Sequence, residues 1–196
     1  MLLDGYLPEY DVSECHARVV DADVEMTWAA VRRADLSRIG PVRALLVARA
    51  VPGRLRTRTR GEPAPPAPPF TFADMPRVGF ALLVERPAEI AFGAVTRPWE
   101  IGDEQPVAIG PDAFAAFDQP GYAKVAFAIR ADPYGPHRTL VLTETRVATT
   151  DAHSRRRFTA YWRVAGLVSA LIRRLILRRV KAQADQWTRR AAARAC

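Results

Sequence analysis

The chain has 196 residues, a formal charge of +8 and an apolar content of 49%, which suits one domain with a sizeable core and argues against disorder throughout. Its start, MLLDGYLPEYDV, lacks a basic head and an unbroken apolar run, so a secretory leader is not expected. The most apolar long window, Phe158 to Leu177, is broken by Arg163, Arg173 and Arg174, which argues against a spanning helix. Cys15 and Cys196 suggest neither a disulfide framework nor a metal site, so a reduced, cytoplasmic setting is expected.

In chain order, YDVSECHARVV (10–20) alternates as a half-buried strand, with Cys15, Ala17 and Val19 on one face and Glu14, His16 and Arg18 on the other. DADVEMTWAAVRRADL follows as a short amphipathic helix, with Asp23 as N-cap and Val24, Trp28 and Val31 on one face. PVRALLVARAVPG reads as a second helix, opened by Pro41 and closed by Pro52 and Gly53. Residues 54–76, including the proline-rich 62–69 stretch, cannot form a regular helix or a central strand, and read as a long excursion.

From Arg77 the pattern turns to strands. RVGFALLVE places Val78, Phe80, Leu82 and Val84 on one face, and EIAFGAVTRPW places Ile90, Phe92 and Ala94 together, with Gly93 marking a bulge or a close approach. PVAIG reads as a short strand and PDAFAAFDQPG as a helical turn. YAKVAFAIRAD, with Val125, Phe127 and Ile129 on one face, and RTLVLTETRVAT complete the sheet around a PYGPH turn. The last element is a helix over about 152–183, capped by Thr150 or Asp151, with TRRAAARAC expected to fray. The division is a 1–8 arm, a single domain over 9–185 and a 186–196 tail.

Three stretches carry a resemblance: VVDADVEMTWAAV, the antiparallel run over 77–149, and TETRVATTDAHSRRRFTAYWRVAG leading from strand into helix. Together they resemble the SRPBCC superfamily, the START-like or helix-grip fold, and most of all its uncharacterised bacterial polyketide cyclase/dehydrase-like members. The resemblance implies an α+β fold, in which a curved antiparallel sheet wraps around the C-terminal helix and two short helices follow the first strand. It also implies an apolar cavity between sheet and helix that takes a lipid or polyketide-like ligand, with cyclase or dehydratase activity as an alternative. The excursion is longer than a minimal member needs.

No phosphate loop, CxxC, HExxH or nucleophile elbow appears, and no cofactor is implied. His16, His137 and His153 are too scattered for a metal site. With first and last strands as neighbours, Glu144 and Arg146 could join Glu14, His16 and Arg18 in one cluster. Glu144 and His16 are then the candidate acid–base pair, although such residues read first as cross-strand ion pairs. Phe92, Phe127 and Trp162 are the first choices as cavity-lining residues, followed by Tyr161, Phe80 and Trp99, with Arg146 as a polar contact.

Charge is unevenly spread. Residues 152–196 hold twelve of the 29 Lys and Arg and one acid, Asp185, a local balance of +11 against −3 for the remainder. This reads first as a solvated face. It also suits an anionic membrane surface, although the apolar stripe of the helix is needed to cover the sheet. Without a nucleic-acid motif, only non-specific, salt-sensitive nucleic-acid contact is supported.

Overall fold

A computed structural model describes residues 2–44, 69–100 and 106–195. Alternating burial forms β1 (Val12–Val20), and α1 (Val24–Arg33) follows at once. The Asp23 carboxylate accepts from the Met26 amide at 2.8 Å, and Glu25 lies in the first turn, so both ends of the sequence signal for α1 are realised. Thr27, Trp28, Ala30 and Val31 are its buried face. A 3₁₀ turn, Leu36–Arg38, is capped by Asp35. The same carboxylate accepts from the Phe70 amide at 3.2 Å, and Leu36 N–H donates to the Phe70 carbonyl at 2.7 Å. These bonds join the turn after α1 to the stretch that leads into β2. Residues 40–44 are helical; the rest of the second expected helix and most of the excursion lie outside the described residues.

A second 3₁₀ segment, Phe72–Val78, leads into β2 (Ala81–Arg86) and β3 (Glu89–Thr96). After α2 (Pro111–Ala116) come β4 (Ala123–Pro133) and β5 (Thr139–Thr149). The sheet is antiparallel, in the order β1-β5-β4-β3-β2, so the first and last strands are neighbours as expected. PVAIG does not form a strand: it makes one bridge, Val95 to Val107. Pro106 has no N–H to donate, and Gly110 is already the N-cap of α2.

The chain ends in α3 (Ala152–Ala195), whose 44 residues extend about 66 Å. Asp151 is its N-cap, accepting from the Ser154 amide at 2.9 Å and the Ser154 hydroxyl at 2.7 Å. The Ser154 hydroxyl and amide, with the Gly121 amide, hold the Asp151 carboxyl far below the ordinary carboxylate range. The expected fraying does not occur before Ala195, because the segment is built from Ala and Arg, both good helix formers, and Ala184 and Trp187 pack against the core. No helix among the described residues is long and apolar enough to cross a membrane.

This is the α+β, helix-grip-like arrangement anticipated from the element order, with one difference in its layers. α1 and α3 cover the inner face of the sheet, where Phe92, Phe127, Ile129 and Val141 join Trp28, Ile176 and Val180. The outer face is also covered. Leu3 and Leu7 of the N-terminal segment, with Phe114 of α2, pack on Leu83, Ala91, Val95, Ala126 and Ala128. The N-terminal segment thus packs on the sheet through Leu3 and Leu7, which are 0% and 2% exposed. Gly93 on this face marks a close approach, since a Cβ there would lie 2.9 Å from Phe114 and 3.0 Å from Leu83.

The single-face reading of β2 fails at a bulge. Leu82 pairs with Phe92 but Val84 pairs with Ala91, so Leu83 is the extra residue and the faces switch there. Phe80 and Leu82 stay on the inner side, while Leu83 and Val84 join the outer cluster.

Candidate functional site: a cavity under the first half of α3

The two halves of α3 pack differently. Beyond Ile176 the helix lies against α1, and Trp28, Val31, Leu177 and Val180 fill the space. Before Ile176 it faces the sheet without α1, and a cavity of about 400 Å³ remains. That volume falls in the range of small-molecule sites. Its sheet wall includes Phe80, Ala94, Val125 and Val147, and its helix wall Phe158, Tyr161, Trp162, Ala165 and Ile172. Small side chains at Ala94 and Ala165 leave the gap open. Gly166 lets the Trp162 indole lie back along the helix: a Cβ there would meet Trp162 Nε1 at 2.9 Å. Phe158 is 1% exposed and packs on Trp162 with ring centroids 5.3 Å apart, which fixes the indole.

The wall has one charged end. Thr145 of β5 and Ser169 and Arg173 of α3 converge there. Arg173 Nε donates to Thr145 Oγ1 at 3.1 Å, and its guanidinium lies 4.0 Å from the Phe127 ring centroid. Burial pushes the guanidinium down to about 10, with the Glu14 charge pulling the other way, so Arg173 remains a cation at neutral pH. Behind the wall the Ser169 hydroxyl donates to Glu14 Oε2 at 3.0 Å, and Glu14 Oε1 meets His16 Nε2 at 3.1 Å. In this chain the carboxylate lies between hydroxyl and imidazole. A nucleophilic triad needs the imidazole in that middle place, so this order holds Glu14 in position and does not activate Ser169 by the triad route.

The expected site residues divide. Phe80, Tyr161 and Trp162 line the cavity. Phe92 does not; it is 1% exposed and borders a separate cleft of about 240 Å³ with Trp28 and Phe72. Phe127 lies one layer deeper, stacked on Phe72 at 5.9 Å and beneath Arg173. Trp99 belongs to the Phe158–Trp162 cluster, with Arg157 5.7 Å from its ring.

The five-residue polar cluster does not form. Register pairs Cys15 with Glu144 and Glu14 with Thr145, so Glu14 and His16 face α3 while Glu144 and Arg146 face the opposite way. On the outer face Arg146 is 5% exposed and donates to Glu144 at 2.8 Å, to the Leu7 carbonyl at 3.0 Å and to Asp4 at 2.7 Å. Tyr10 lies over it, 4.8 Å from ring centroid to guanidinium. Glu144 and Arg146 therefore fasten the N-terminal segment and take no part in the cavity. His137 and His153 are exposed, His137 in the β4–β5 turn with φ 53°. Cys15 is a free, exposed thiol.

Sequence reasoning missed Thr145, Ser169 and Arg173. A signal existed: Ser169 and Arg173 fall on the same helical stripe as Trp162, Ile176 and Val180, at steps of three and four.

No family model matches the chain, and no curated protein matches it. Among solved structures, a crystal structure of the hypothetical protein jhp0584 from Helicobacter pylori is similar at 10% identity, covering 92% of this chain and 93% of that one with a TM-score of 0.42.

If the outer cluster is structural, Arg146→Met should destabilise the protein by about 3 kcal/mol, because Glu144 is left buried without its partner. Adding Glu144→Leu to that variant should recover most of the loss. Urea unfolding of both variants measures this, and losses that simply add would contradict it.

Proposed function

We propose that the chain binds a hydrophobic small molecule, lipid or polyketide-like, in the cavity between the sheet and α3. The observation that carries this reading is the cavity itself: about 400 Å³, walled by Phe80, Phe158, Tyr161 and Trp162, with Arg173 as the one charged side chain among its described lining residues. The resemblance to the SRPBCC superfamily points to the same place. Cyclase or dehydratase chemistry needs a proton donor or acceptor beside the ligand. Among the described residues the lining offers no carboxylate and no imidazole, which favours binding over turnover.

Native mass spectrometry of the purified protein is expected to show a bound small molecule. Ala165→Trp, which fills the gap from the helix side, is expected to remove it without unfolding the protein. A ligand held at a hundred times its Kd should stabilise the wild type by about 2.7 kcal/mol and leave Ala165→Trp unmoved. Equal ligand content in both proteins would count against the cavity as the site.

One observation favours a second property, attachment to an anionic membrane. The inner stripe of α3 covers the sheet, yet the helix carries another apolar stripe. Val164 and Leu167 are 71% and 74% exposed, with Val168 at 39% and Leu171 at 46%. The objection that one face cannot serve two purposes therefore does not apply. Exposed Arg163, Arg174 and Arg178 flank this stripe, and Val168 belongs to both stripe and cavity wall. Vesicles containing phosphatidylserine are expected to sediment the protein at low salt, with binding weakened by salt and lost in Leu167→Glu. Failure to bind at low salt would dispose of this reading.

A further inference from the structure

We infer that the ligand of this cavity is a single-chain amphiphile with a carboxylate head, and that Arg173 receives that head at the charged end. The inference rests on the binding reading above and names the class of ligand. Three features of the site carry it.

First, the cavity wall is mostly apolar, and among the described residues its one charged side chain, Arg173, stands at one end with Thr145 and Ser169. An amphiphile placed there has one favourable orientation, with its tail against Phe80 and Trp162 and its head at Arg173.

Second, Arg173 is a half-buried cation without a matching anion. Among the described residues no carboxylate lies within 4.0 Å of its nitrogens, and its hydrogen bond is the one from Nε to the neutral Thr145 hydroxyl. Glu14 is the acid whose charge it feels, but both Glu14 oxygens are engaged, by His16 and by Ser169. By contrast, Arg146, buried on the outer face of the sheet, has Glu144 and Asp4 against it. A buried charge is costly unless an opposite charge meets it.

Third, the geometry suits a carboxylate. The Phe127 ring beneath and the Thr145 hydroxyl at Nε restrain the guanidinium plane. The terminal nitrogens form the planar fork that binds a carboxylate through two parallel bonds. A lysine in this place would offer a point charge and no fork.

The test uses the full-length protein and displacement of the neutral fluorophore N-phenylnaphthylamine at neutral pH, with dodecanoic acid, methyl dodecanoate and dodecyl alcohol as competitors. The acid is expected to bind about tenfold to a hundredfold more tightly than the ester, the range for a charge-assisted pair. Arg173→Met should bring the acid-to-ester affinity ratio close to one, and Arg173→Lys should fall between. Circular dichroism establishes that both variants are folded; if Arg173→Met fails to fold, the acid-to-ester ratio of the wild type and of Arg173→Lys decides. Equal binding of acid and ester by the wild type, or an unchanged ratio in folded Arg173→Met, would overturn this inference and leave the cavity reading standing. If neither fluorophore nor competitor binds the wild type, the cavity reading falls and this inference with it.

Discussion

The cavity depends on one constraint: a single helix must cover the inner face of a five-stranded sheet. A helix with its side chains is roughly 10–12 Å across, narrower than a sheet of strands spaced about 4.8 Å apart. Beyond Ile176, α3 meets this with help, since α1 lies beside it and Trp28 and Val31 complete the layer. Before Ile176 it has no such neighbour. The residues that face the sheet there include Ala165 and Ser169, opposite Ala94, and these do not fill the width. The charged end of the gap falls where Thr145 and Arg173 meet.

The two faces of the sheet divide the polar residues by purpose. On the outer face Arg146 is met by Glu144, Asp4 and a backbone carbonyl, and the result is a fastening for the N-terminal segment. On the inner face Arg173 has a neutral hydroxyl and an aromatic ring. Arg146 is buried and its charge is met by the fold, whereas half-buried Arg173 has no carboxylate against it among the described residues. This difference, more than the volume of the cavity, gives the site its chemical character.

Much of the architecture was legible in the sequence because it rests on local signals. Alternation located β1, β3, β4 and β5, and Asp23 and Asp151 marked helix starts through hydrogen bonds that are local by nature. The signals failed where structure depends on register or on distant partners. A slip of one residue between β1 and β5 would have put Glu144 beside His16; the observed pairing sets it opposite Cys15. In β2 the extra residue at Leu83 reverses the faces, and nothing in RVGFALLVE announces it. Phe92 and Phe127 were expected to line the cavity; they lie on the inner face, but at the end where that face is packed into the core. The difference is set by α1, Phe72 and the C-terminal half of α3. Arg173 was visible as an interruption of an apolar stripe; its meaning appears only once the stripe is seen to wall a cavity.

The central claim is that Arg173 is held at a cost that the empty protein does not recover. The most direct measurement is the unfolding free energy of ligand-free Arg173→Met against the ligand-free wild type, by urea titration after the protein has been stripped of bound lipid. If the guanidinium lacks its anion, the variant should be at least as stable as the wild type, and more stable by about 1 kcal/mol where Met fills the same space. A loss of about 2 kcal/mol or more would show that Arg173 supports the fold through Thr145 and Phe127, and would contradict the account.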